Sequence, residues 1–219
     1  FTFDNNQMHQ GTIGEKKVQE LQQSRARAKN FYKRQMQDRL SVKMADLIRR
    51  QEMVFVATAD AKGNCDCSPR FGTSGFVIVL DDKTLAYPEY RGNGVFASLG
   101  NIVENPHIGL VFLDFFHTTV GLHVNGMAAN YGNQELPLIL SSYLEKECPT
   151  VDARVEQWVV ITIDEAYIHC SKHVPRLEKT DKRIRWGTDD LKAKSDDYFL
   201  KHREQGQSAE ANCSEGECE

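Results

Sequence analysis

The chain has 219 residues, 40% of them hydrophobic and 26% charged, with a net charge of −4. That composition bounds it to one globular domain with room for helical extensions; the mixing of basic with acidic residues argues against nucleic acid as a partner, and the shortness of the apolar runs argues against a membrane span. The first ten residues, FTFDNNQMHQ, lack the basic start and apolar stretch of a secretory signal. The cysteines fit neither a disulfide scaffold nor a zinc ribbon, so a reducing, cytoplasmic setting is expected.

Residues 1–13 are polar and read as irregular. Gly14 to Tyr32 reads as one polar helix, with Val18, Leu21, Ala28 and Phe31 as its few apolar positions. Ser41 to Gln51 belongs to a second helix, and Met36, Leu40, Met44, Leu47 and Ile48 form one stripe. The period then changes. Met53–Ala59 is β-branched and apolar, a buried strand. Asp60 to Asn64 turns, and Cys65–Phe71 completes a hairpin. Further strands are expected at Phe76 to Leu80, Thr84 to Tyr87, Ile108 to Phe115, Val120 to Tyr131 and Trp158 to His169. Glu135 to Glu147 reads as helical, Lys172 to Trp186 as basic and irregular, and Leu191 to His202 as a terminal helix before a disordered tail.

Four stretches carry candidate chemistry. Arg91-Gly92-Asn93-Gly94 is a turn between a strand and a short helix marked by Val95, Leu99, Ile102 and Val103. Backbone N–H groups and one guanidinium meet there, which suits an anion; an ordinary connection with a solvated arginine is the competing reading. Ser68-Pro69-Arg70 lies inside a strand. Arg70 either points inward, where it needs an anion, or outward to an acid such as Asp66. His123 and Asn125 share one face of a strand and can meet a heteroaromatic edge or serve a structural hydrogen bond. His169 to Arg176 gathers two histidines, a thiol and two cations; a basic lip for an anionic ligand is favoured over a metal site, and no metal ligands are assigned. Cys65 and Cys67 are expected on opposite faces of their strand, unable to share an ion. Cys213 and Cys218 read as free thiols in an acidic tail. No dinucleotide fingerprint, Walker loop or nucleophile elbow appears.

The order ATADAKGNCDCSPRFG, GFVIVLDDKTLAYPEYRGNGVFASLGNIVENPHIGLVFLDF, GLHVNGMA and HCSKHVPRL resembles the pyridoxamine 5′-phosphate oxidase-like family of FMN-binding split barrels. The resemblance runs from about Met53 to Leu177. It implies a β-rich α+β fold: a six-stranded antiparallel split β-barrel over 51–187, a helical N-terminal extension over 1–50, and a C-terminal helix and tail over 188–219. It implies a homodimer with FMN at the subunit interface, and a flavin-dependent oxidoreductase passing hydride between flavin and a small organic substrate. Relatives on this fold use F420 or haem instead, and a non-catalytic flavin or haem carrier is the alternative. Carried onto this sequence, Ser68, Arg70, Arg91, Gly92 and Asn93 would hold the FMN phosphate or ribityl chain, with Cys67, Tyr87 and Asn125 near the ring. Lys172 and Arg176 would approach from the other subunit, and His123 would offer a polar contact near the substrate. The lysines that pyridoxamine phosphate oxidases carry after the strand arginine and the central turn are absent here, as is their C-terminal Arg-x-His motif, which points away from vitamin B6 oxidation itself.

Overall fold

The computed structural model describes residues 11–147 and 154–182, with 184 and 188. The expected terminal helix at Leu191 to His202, the irregular start and Cys148, Cys213 and Cys218 fall wholly or mostly outside the described residues. The chain divides into a unit of residues 1–182 and a unit of residues 183–219.

Among the described residues, seven strands form one antiparallel sheet: β1 (Met53–Ala59), β2 (Cys65–Phe71), β3 (Ile78–Val79), β4 (Thr84–Tyr90), β5 (His107–Leu113), β6 (Gly121–Tyr131) and β7 (Val155–His169). Their order is β2-β1-β5-β6-β7-β4-β3. The expected six-stranded barrel is corrected to a seven-stranded sheet whose ends, β2 and β3, are not paired to each other. The sheet nevertheless curls: Arg70 on the β2 edge reaches Glu89 on β4, with four strands between them in the order, at 2.7 Å. One face of β1 and of β3–β7, through Val54, Val56, Val79, Leu85, Leu110, Phe112, Val124, Ile161 and Ile163, fills a continuous apolar core. β2 contributes nothing to that core. Its inward face is Asp66, Ser68 and Arg70, so the closure across the split is polar.

Among the described residues, five α-helices flank the sheet: α1 (Ile13–Leu21), α2 (Arg25–Arg34), α3 (Val42–Arg49), α4 (Ala97–Glu104) and α5 (Leu138–Glu147). The single expected N-terminal helix is two. Gln23 sits at φ 49°, and Gln19 of α1 donates to Tyr32 Oη of α2 at 2.8 Å, fastening the pair as a hairpin. No proline or glycine marks this break in the sequence. A Thr12–Glu15 capping box starts α1, and Ser41 caps α3. Met36 and Leu40 precede α3 instead of lying on it, while Leu47 and Ile48 enter that apolar core. α5 covers the outside of β4 and β7 through Leu140 and Leu144 against Ile78, Ala86, Val155 and Trp158.

Asp114 holds the β5–β6 connection. Its buried carboxylate accepts from His117 N at 3.1 Å, Thr118 N at 3.0 Å and Thr118 Oγ1 at 2.7 Å. Burial alone would raise this carboxyl, but the bonds from Thr118 and His117 outweigh it and hold it at about 2. A lowered folded value means stability present above the unfolded value and lost as pH falls toward 2. Asp114→Ala should therefore cost about 2 kcal/mol at neutral pH, with the gap to the parent closing between about pH 4 and 2. Denaturant melts across that range check it; a constant gap would refute it.

Candidate functional site

The polar face of β2 builds a network across the split. Arg70 Nε donates to Glu89 Oε1 at 2.7 Å, Nη2 to Ser98 Oγ at 3.1 Å and Nη1 to the Pro69 carbonyl at 3.3 Å. Ser98, the second residue of α4, donates to Asp66 Oδ2 at 3.0 Å, and Ser68 donates to the same oxygen at 2.9 Å. Arg70 thus points inward, and its counter-ion is Glu89; Asp66 joins only through Ser98. Burial pushes the Glu89 carboxyl up, with the Arg70 guanidinium pulling it part of the way back. Glu89 and Ser98 were missed from sequence; Asp66 was expected as a direct outward partner of Arg70 and instead joins through Ser98. Glu89 had a signal: it is the one acid inside an otherwise apolar, aromatic strand.

Tyr87 lies two residues before Glu89, fully buried, its hydroxyl without a hydrogen-bond partner. Burial pushes its phenol well above the ordinary range. It is a core residue at the back of β4.

β4 leads into the turn expected to take an anion. Arg91, Gly92 and Asn93 are exposed, and Arg91 Nε faces Glu156 Oε1 at 3.7 Å. Asn93 Oδ1 accepts from Val95 N at 3.0 Å. Phe96 sits at φ 53° before α4 and offers no side-chain cap, so the first N–H groups of α4 lack one. A non-glycine residue held in the left-handed region stores strain of order 1–3 kcal/mol, as candidate sites often do. Val95 and Val103, expected on the helix's packed stripe, are 70% and 78% exposed; Leu99 and Ile102 are buried.

Cys67 and Asn125 come together. They line a groove of about 640 Å³ on the outer side of β2, β1, β5 and β6, with Ala57, Ala59 and Gly109 among its lining and Cys65, Asp66, His107, Asp164 and Glu165 beside them. A Cβ at Gly109 would meet Asn125 Oδ1 at 3.2 Å and Ala57 Cβ at 3.9 Å, so the glycine keeps this surface shallow. Asn125 donates to Glu165 Oε1 at 2.7 Å. Cys65 and Cys67 share the exposed face of β2. The expectation of opposite faces is corrected: residues two apart in a strand point the same way.

His123 shares the face of Asn125 but belongs to another cluster. It stacks on Tyr167 with centroids 4.7 Å apart, and its Nε2 lies 2.9 Å from His169 Nδ1. Phe31 of α2 meets Tyr167 edge-on. Burial, then the neighbouring His169, lowers the His123 pKa. Lys172 is exposed in a short 3₁₀ turn (Ser171–His173), and Arg176 donates to the His117 carbonyl. Among the described residues no group of three or more metal-ligating side chains converges, and no helix is long and apolar enough to cross a membrane.

Comparison with known proteins places these features. No curated protein matches the chain. Among solved structures, HupZ of Group A Streptococcus is 22% identical, covering 64% of this chain and 99% of that one at a TM-score of 0.47. HutZ, the heme storage protein of Vibrio cholerae, is 11% identical over 59% of this chain and 94% of that one, TM-score 0.41. A putative pyridoxamine 5′-phosphate oxidase from Listeria innocua is 14% identical over 57% and 94%, TM-score 0.39. These likenesses bear on neither ligand nor reaction. The family model for pyridoxamine 5′-phosphate oxidase matches residues 40–170, which run from the start of α3 through β7. That stretch is more than half of the chain and takes in the β2 network, the β4–α4 turn and the groove, and on it the chain belongs to the pyridoxamine 5′-phosphate oxidase family.

Proposed function

We propose that this chain is a dimeric, cytoplasmic, FMN-dependent oxidoreductase that passes hydride between flavin and a small organic substrate. The observation that carries the reading is the β4–α4 turn. An exposed arginine, a run of glycine-rich backbone and an uncapped helix start stand together, and Ser98 ties that start to Arg70 on β2. A phosphate would take Arg91 and the amides of Gly92 to Gly94, exchanging the long, exposed pairing with Glu156 for a charge-assisted one. Arg70 fits the phosphate less simply, since Glu89 already satisfies it; with Ser68 and Asn93 it is assigned to the ribityl side.

The shallow groove between Cys67 and Asn125 suits a flat ring, and its small lining residues leave room for one. Tyr87 backs β4 from the core. In a dimer, Lys172 and Arg176 of the partner copy would add positive charge, which requires Arg176 to leave the His117 carbonyl. His123 would act as a polar contact toward the substrate, held in orientation by His169 and Tyr167. The flavin, when bound, supplies the redox chemistry; the protein binds, orients and keeps water away.

The test is the absorption spectrum of the purified full chain, with mass analysis of what it releases. Flavin bands and released FMN are expected, and Arg91→Ala should weaken FMN binding about tenfold, the loss of one charge-assisted hydrogen bond. A colourless protein that takes up no added FMN overturns the proposal. Released F420 or a Soret band would move the cofactor to the deazaflavin or haem alternative. Bound flavin that neither nicotinamide nor oxygen can turn over would make the protein a carrier.

A further inference from the structure

β2 carries two thiols that the flavin reading does not need as a pair. Along this strand Cys65, Cys67, Pro69 and Phe71 are exposed, while Asp66, Ser68 and Arg70 turn inward. Directly across the ladder from Cys65 and Cys67 stand Ala59 and Ala57, so no bulky neighbour separates or covers the sulfurs. β2 is an edge strand, open on its other side. Both cysteines line the same groove.

From this placement we propose that Cys65 and Cys67 form a two-thiolate clamp for a soft, two-coordinate d¹⁰ cation of the Cu(I) and Ag(I) class. Spacing decides between a clamp and a disulfide. At about 3.4 Å rise per residue the two side chains leave the strand about 6.8 Å apart and parallel. A disulfide wants Cβ atoms about 3.8 Å apart, so the strand cannot close one without bending. Two metal–sulfur bonds of about 2.3 Å span about 4.6 Å, and each sulfur then leans inward by only about 1 Å.

Coordination number decides the ion. Zinc takes four protein ligands in a structural site and three in a catalytic one. The described residues offer no group of three or more candidate ligands, which leaves a two-ligand ion, and thiolates select soft ones. Binding releases two thiol protons and forms two metal–sulfur bonds, with no change of oxidation state. The weak Cys65 Sγ–H to Gly63 O contact at 3.5 Å is given up as the thiol deprotonates and rotates. The clamp shares Cys67 and its groove with the site proposed for the flavin ring, but both its ligands come from one strand of one chain, so thiol protection by metal and FMN uptake are read separately.

The test uses Ag(I), which is redox-inert here, on the full-length reduced chain, with iodoacetamide alkylation mapped residue by residue. One equivalent of Ag(I) is expected to slow alkylation of Cys65 and Cys67 together at least tenfold and leave Cys170 unchanged. In Cys65→Ser, protection of Cys67 should disappear, and the reverse in Cys67→Ser. Protection of Cys67 that survives in Cys65→Ser overturns the clamp, as does a first equivalent that protects Cys170, Cys213 or Cys218 in place of the pair. Both substitutions lie on an exposed strand face, so the variants keep the fold, which the melting temperature verifies.

Discussion

Gly126→Ala is expected to cost at least about 4 kcal/mol, enough to remove most or all of the stability of an ordinary domain. β6 and β7 form the longest ladder in the sheet, and its register shifts between Asn125 and Gly126. There the two backbones approach so closely that a Cβ on Gly126 would lie 2.1 Å from the Thr162 carbonyl oxygen and 3.2 Å from Ile163 Cα. Backbone, unlike a flexible side-chain tip, cannot give way without opening the ladder. The same irregularity sets Asn125 against Glu165 at the groove, as bulges commonly re-aim a side chain. Gly132→Ala is the control: nothing lies within 4 Å of a Cβ there, and the change should stay within about 0.5 kcal/mol. Soluble yield and melting temperature of the two variants check this. A Gly126→Ala protein that melts with the parent would mean that β6 and β7 can separate at the bulge at little cost.

Much of the sheet was legible because its strands are local. Met53–Ala59 and Cys65–Phe71 fall where a β-branched run and a turn rich in Asp, Gly and Asn put them. Strand ends were less legible where tertiary pairing overrides local preference. The fourth strand was expected to end at Tyr87, yet β4 runs on to Tyr90, with Pro88 opposite Trp158 and Glu89 opposite Gln157. The α1–α2 break was hidden because a glutamine, not a glycine, takes the positive φ.

The candidate site was legible as residue types and not as partners. Arg70 was recognised as a guanidinium needing an anion, but Glu89 is 19 residues away in sequence, and only the curl of the sheet brings them together. Ser68, Arg70 and Arg91 looked like one converging set. The structure ties Ser68 and Arg70 to Asp66, Ser98 and Glu89, and leaves Arg91 on a turn beside Glu156. The face of Cys67 was readable from period alone, since residues two apart must share a side. The groove that joins Cys67 to Asn125 was not, because it depends on β2 and β6 lying on one outer surface with β1 and β5 between them.

Arg70→Ala is the other change expected to have a large effect. Removing one member of a buried, hydrogen-bonded ion pair typically costs 3–5 kcal/mol, because the remaining charge is stranded. The Arg70 side chain keeps 22% of its surface exposed and Glu89 keeps 11%, which places the cost at the lower end, about 3 kcal/mol. For a chain of this size that is a fall in melting temperature of roughly 6–12 °C. Glu89 then governs the pH dependence. Burial raises its folded pKa, so its contribution is fully present below the unfolded value and is lost as pH rises through the folded one. Glu89→Gln, which keeps a neutral partner for Arg70 Nε, should therefore gain on the parent as pH rises above the ordinary carboxyl range. In Arg70→Ala the pull of the guanidinium is gone, so the decline should start at the same pH and extend to higher pH. The double variant should be less damaged than the sum of the singles by about 1–2 kcal/mol, since each single leaves the other group unpaired. Single-variant costs that add to within about 0.5 kcal/mol would show that the two side chains do not depend on each other, and that the split is held closed by the apolar core alone.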